Sequence, residues 1–333
     1  MSKYKTSSDS WQMKIQEKLK IPFPFAWLTI AFAFFLLGYA LVWLYPQPNN
    51  VIHLFALKAV LIAAIANAVV FFEKRIDELA DLLPELLHED AQKSEQWLKK
   101  WYSIIFWSRK NIVTGFILGV IVTVVSIEAA RSIFSNIQMQ IYSLVLDFAI
   151  GFLGGSMLWT MLAIAGLMRS LGRDVNIKLS IFDSTTSALR AASSILWKIA
   201  IIAALIYVTG VLMNIICSVK TDNNMLVVEA VFGLLIILYF IIPQFNIHRK
   251  LLSLKRGKLK TLVNQIDKMF DSVTDAPTAD NINQLKELFH LQAVLNGKSS
   301  WSFGSSELLI LLGTVFVPLL VSMMDWLFKR LHL

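Results

Sequence analysis

Four ionisable side chains interrupt runs of the chain that are otherwise apolar: Lys58, Glu128, Asp147 and Glu229, with Arg131 one helical turn beyond Glu128. Charge is costly inside a bilayer, so groups of this kind are either paired or line a path for an ion or solute. Lys58 stands seven residues into its apolar run, about 10 Å deep at the helical rise. An ammonium left alone at that depth pays a desolvation penalty that its four-carbon stem only partly relieves by reaching outward. A carboxylate at similar depth removes the penalty. Glu128, Asp147 and Glu229 each sit close to one end of an apolar run, at matching depth. Two readings follow: a satisfied ion-pair cluster, or the wall of a water-filled vestibule.

A second pattern concerns glycine. Gly115 and Gly119 lie four residues apart in one run, and Gly151 and Gly155 in the next. Glycines at this spacing share a helix face and let two backbones approach closely. The expected result is a tight intramolecular contact between those two helices, with a subunit interface or a pore wall as alternatives.

Other chemistry has no foothold. Cys217 is the single cysteine, so no internal disulfide forms. The histidines (His53, His88, His248, His290 and His332) make no HExxH, and there is no GxSxG, P-loop or CxxC. His88-Glu-Asp90 reads as a polar helix face, and Glu128-Ala-Ala-Arg131 is too short for an intramembrane protease signature. The sequence therefore predicts a non-enzymatic protein with no cofactor and no metal.

The elements that must position these residues are membrane helices. Of 333 residues, 56% are hydrophobic and 16% charged, whereas soluble domains carry about 25% charge. A span needs about 20 apolar helical residues. Seven stretches qualify: 22–45, 51–72, 111–130, 141–168, 195–218, 226–243 and 307–324. The fold class is an all-α integral membrane protein with about seven transmembrane segments. Three hairpins (22–72, 111–168, 195–243) are followed by a final segment in 305–333. Gly313 and Pro318 interrupt that last stretch, which reads as short or re-entrant.

Lys and Arg concentrate in 1–21, 73–110, 169–194 and 244–304. The alternate connections hold none at 46–50, only Arg131 at 131–140 and only Lys220 at 219–225. By the positive-inside rule the basic segments and the N-terminus are cytoplasmic, most simply in a bacterial cytoplasmic (inner) membrane. Lys329 and Arg330 argue against an external C-terminus. Trp27, Trp43, Tyr45, Trp101, Tyr102, Trp107, Trp197, Trp301 and Trp326 fall near span ends and are expected as interfacial anchors.

Outside the spans, the 73–100 stretch has a three-to-four apolar period and reads as an amphipathic helix kinked at Pro84. The 244–304 stretch reads as a helical hairpin turning at 275–278. The N-terminal 1–21 segment reads as a short interfacial helix. Topology already accounts for the net charge of +8, so no nucleic-acid partner is expected. The expected partners are the lipid bilayer, further copies of the chain, and a cytoplasmic protein meeting 73–110 and 244–304. The leading functional expectation is an oligomeric ion channel or pore-like conduit gated from these helices. A membrane scaffold or sensor is the alternative. A secondary transporter ranks third, because the hairpins are tandem and show no inverted repeat of broken helices.

Overall fold

A computed structural model describes residues 11–45, 50–86, 91–106, 109–174, 184–216, 223–275, 278–297 and 305–331. Among these, every regular element is helical: α1 (Trp11–Leu19), α2 (Phe25–Leu44), α3 (Asn50–Leu86), α4 (Ala91–Phe106), α5 (Arg109–Ile133), α6 (Ile137–Asp174), α7 (Ser184–Ile216), α8 (Asn223–Asp275), α9 (Ala279–Gly297) and α10 (Ser305–Leu331). Among the described residues, seven helical segments are long and apolar enough to cross a membrane. The protein is an all-α, multi-span membrane protein. Its helix ends define two faces, one carrying the basic segments and one carrying the short connections.

Helix α3 is the hub. Val51, Phe55, Ile62, Ala66, Val69 and Phe72 are all buried, and the helix touches α1, α2, α4, α6 and α7. A helix apolar on every side belongs in the interior of a bundle. Phe55 anchors its upper part, stacked on Phe134 and meeting Tyr142 edge-on at 5.1 Å.

Helix α5 is the opposite case. Its principal neighbour is α6, and Ile112, Val113, Phe116, Ile117, Val120 and Val124 are exposed. Lipid tails are as apolar as these side chains, so burial alone gives α5 no reason to dock. Glycine supplies the reason. A Cβ on Gly115 would lie 2.8 Å from the Phe152 carbonyl oxygen, and one on Gly151 would lie 2.8 Å from the Gly119 Cα. One on Gly155 would meet the Thr114 carbonyl oxygen at 2.6 Å, and one on Gly119 the Phe148 ring at 2.9 Å. The two motifs therefore interlock, each glycine seating the backbone of the other helix. The α5–α6 turn is closed locally: the Phe134 amide donates to the Ala130 carbonyl (3.0 Å), and Gln140 Nε2 donates to the Phe134 carbonyl (2.8 Å).

Several sequence expectations change. Helix α3 carries the amphipathic stretch past Pro84 to Leu86, and residues 91–106 form α4; residues 87–90 lie outside the described residues. Helix α4 does not lie free. Leu98, Tyr102, Ile105 and Phe106 are buried, and Trp97 Nε1 donates to Ser170 Oγ on α6 at 3.1 Å. Tyr102, expected as an interfacial anchor, is instead packed between helices and donates to Asp77. Trp27 is likewise buried, in edge contact with Trp11. Trp43 is 78% exposed, as an anchor should be. Trp107 and Trp301 lie outside the described residues.

The last apolar segment is neither short nor broken. Helix α10 runs continuously through Gly313 and Pro318 for 27 residues, about 40 Å. Ser322 Oγ donates to Glu229 Oε2 at 2.7 Å, and Val315 Cγ1 lies 2.8 Å from where a Cβ on Gly233 would be. Rising residue numbers on α10 thus meet falling numbers on α8, so the two run antiparallel along the bundle. Ser322→Ala should remove a hydrogen bond to a buried carboxylate. The expected cost is about 1.5–3 kcal/mol, read as a lower thermal midpoint in detergent; an unchanged midpoint would mean that this contact does not hold α10.

Helix α8 joins the last hairpin span to the basic helix beyond it and ends at Asp275, where the turn is expected. It carries Pro243 internally and extends for 53 residues, about 80 Å. Its far half leaves the bundle on the basic face and folds back against α9. Ile266 and Leu295 are buried in that hairpin, and Lys255 Nζ donates to the Asn296 carbonyl at 2.9 Å.

Candidate functional site

Lys58 and Asp147 face each other across α3 and α6. Lys58 Nζ is 2.7 Å from Asp147 Oδ1 and donates to Ser143 Oγ at 2.8 Å. Ser143 and Asp147 are four apart on α6, so both present to the same face. Both charged side chains are at least nine-tenths buried. The ammonium thus has three oxygen partners, the third being the Ser143 carbonyl at 3.5 Å. A charge-assisted pair of this length is the strong kind of hydrogen bond.

The pair borders a cavity of about 700 Å³, within the range of sites for small molecules. Helices α3, α5, α6, α7 and α8 all contribute to its wall. Glu128 and Glu229 line the same cavity, so the structure brings together four of the five charged residues marked from sequence. Arg131 is exposed on α5 and does not join them. Glu128 is exposed and makes no hydrogen bond or ion pair among the described residues. Glu229 is buried and accepts the Ser322 hydroxyl.

The charged residues sit towards the short-connection face. Deeper in, the wall is Leu61, Ile65, Met161, Leu162 and Ile236. Two tyrosines break this apolar surface. Tyr207 and Tyr239 both line the cavity, and neither hydroxyl has a hydrogen-bond partner among the described residues. Tyr239 is only 4% exposed. It follows Glu229 by ten residues, about 15 Å along α8. Gly151 lines the cavity where α6 meets α5. Gly154 and Gly210 also line it, and a Cβ added to either would meet nothing within 4 Å.

Sequence reasoning passed over the neutral members of this site, Ser143, Tyr207, Tyr239 and Ser322. The signal was weak, because a lone hydroxyl in an apolar run is ordinary. It also passed over a second polar group at the basic end of the bundle. Gln12 on α1 is fully buried, and its Nε2 donates to Ser156 Oγ at 3.0 Å. Ser156 in turn donates to Asn111 Oδ1 at 2.6 Å. Trp11 packs on Phe152 at 5.7 Å. Trp11 and Gln12 thus tie the start of α1 to the bundle, while Glu17, Lys18 and Leu19 at its far end are exposed.

No group of His, Cys, Asp and Glu among the described residues is arranged to hold a metal ion. Compared with family models, curated proteins and solved structures, the chain matches none of them.

Proposed function

We propose that the protein moves a small solute across the membrane through the cavity bounded by α3, α5, α6, α7 and α8. The observation that supports this reading is the gathering of Lys58, Asp147, Glu128 and Glu229 around one partly open cavity of a single chain. Charges in a membrane protein that face a shared cavity are the ordinary mark of a pathway. The route lies within one subunit, so no axial pore between subunits is required. Its deep end is apolar, which favours binding and carrying over free ion flow. The basic face is cytoplasmic by the positive-inside rule, in a membrane of bacterial inner-membrane type, and the charged end of the cavity faces outward.

A cysteine reporter tests this. In a background with Cys217 replaced by serine, Gly154→Cys adds a thiol in open space on the cavity wall. Membrane-impermeant methanethiosulfonate reagents applied from outside should label it, and Lys258→Cys should be labelled from inside only. A Gly154→Cys thiol that no aqueous reagent reaches from either side would make the cavity a sealed void and defeat the reading.

A second reading has one observation of its own. The α8–α9 hairpin, outside the spans, leaves Phe270 and Phe289 exposed. That favours a cytoplasmic protein docking there, as in a scaffold or sensor.

A further inference from the structure

We infer that the cavity accepts a lipophilic cation: a molecule with an apolar body and a single positive centre. The inference rests on the conduit reading and names the class of solute.

Charge is the first argument. The cavity wall holds one cation, Lys58, and three carboxylates, Asp147, Glu128 and Glu229. Lys58 is already engaged by Asp147 and Ser143. An anion entering the cavity would have to break that buried pair to find a positive partner, leaving Asp147 uncompensated. A cation meets no such obstacle. Glu128, exposed and without a hydrogen-bond or ion-pair partner among the described residues, is available to it at once. Glu229 is buried, and in that lower dielectric its attraction for a cation is several times what it would be in water.

Shape and surface are the second. About 700 Å³ is far more than a bare metal ion fills, and the deep wall is leucine, isoleucine and methionine. A small hydrated ion would lose water there and gain nothing in return. An organic body gains by burial. Aromatic faces from Phe232, Tyr207 and Tyr239 line the same space and suit a cationic guest.

The third is independent of both. The Tyr239 hydroxyl is buried at the deep end without a partner among the described residues. A buried hydroxyl left unsatisfied costs free energy, and a bound molecule with one polar atom at that depth would remove the cost.

Tetraphenylphosphonium and tetraphenylborate have nearly the same size and shape and opposite charge, so they separate charge from greasiness. Binding of each is measured to the full chain in phosphatidylcholine nanodiscs, with empty nanodiscs subtracted. The expected result is saturable tetraphenylphosphonium binding at one site per chain and no saturable tetraphenylborate binding. The double variant Glu128→Gln/Glu229→Gln should weaken it at least about tenfold, since two attractive charges are removed. Gly154→Trp, which projects into open space, should abolish it; both variants should melt within a few degrees of the parent.

Equal saturable binding of the two ions would overturn the inference, and so would tetraphenylphosphonium binding indifferent to the two glutamines. No saturable tetraphenylphosphonium binding would overturn it as well. If any of these is found while the Gly154→Cys thiol is still labelled from water, the solute class is wrong and the conduit stands. If that thiol is also unreachable, both fall.

Discussion

Lys58→Met should destabilise the protein by about 3–5 kcal/mol, because it leaves the Asp147 carboxylate buried without its cation. Asp147 is held 2.7 Å from Lys58 Nζ, and both side chains are at least nine-tenths buried. Nothing else described replaces the lost charge: Arg131 is exposed on another helix. Adding Asp147→Leu to Lys58→Met should recover most of the loss, since an apolar pair of similar volume needs no partner. Ser143→Ala should cost less, as Lys58 then keeps its carboxylate. Thermal unfolding of the four proteins in one detergent checks all of this. A Lys58→Met midpoint equal to that of the parent would mean the pair contributes nothing, and a double variant no better than the single would mean that the two residues are not coupled.

Gly155→Leu is expected to be as damaging by a different route. Even a methyl group on Gly155 would sit 2.6 Å from the Thr114 carbonyl oxygen and 2.8 Å from the Gly115 Cα. Both are backbone atoms, so neither can turn aside. Gly155→Ala should therefore cost about 1–3 kcal/mol by overpacking, and Gly155→Leu should separate α5 from α6. Helix α5 has little else to hold it, with one flank already exposed. The neighbouring residue is the control. A Cβ on Gly154 meets nothing within 4 Å, so Gly154→Ala should be neutral or gain up to about 1 kcal/mol of helix propensity. Equal midpoints for Gly155→Ala and Gly154→Ala would show that the interlock is not what joins the helices.

The contrast between these adjacent glycines marks what a sequence reveals. Spacing of four put Gly151 and Gly155 on one face, and repetition in the preceding run suggested the partner. Spacing could not say that Gly154, one residue away, opens into a cavity. Proline was misleading for a related reason. Gly313 and Pro318 carry local signals of interruption, yet α10 passes through both. In a bundle the backbone group freed by a proline is accommodated by packing and by neighbouring turns. Local propensity yields when tertiary contacts such as Ser322 on Glu229 hold the helix in place. The docking of Gln12 is similar. Nothing in the pattern of Trp11 to Leu19 distinguishes a helix on lipid from one whose glutamine reaches a serine 144 positions away.

The information that is legible along the chain is therefore one-dimensional. Runs of apolar residues set the helices and the number of crossings, because backbone hydrogen bonds must be satisfied within each segment in lipid. The distribution of lysine and arginine separated the two faces. The rarity of charge within the runs singled out Lys58, Glu128, Asp147 and Glu229, and their positions showed a common depth. Packing in three dimensions makes Asp147 the acid that holds Lys58, brings Ser143 to assist it, leaves Arg131 aside, and places Tyr207 and Tyr239 in the cavity with the two glutamates. Depth along a helix is fixed by residue number, but partnership depends on the rotation of each helix about its axis and on which helices are neighbours. Those are set by the summed packing of the whole bundle, and no local period encodes them.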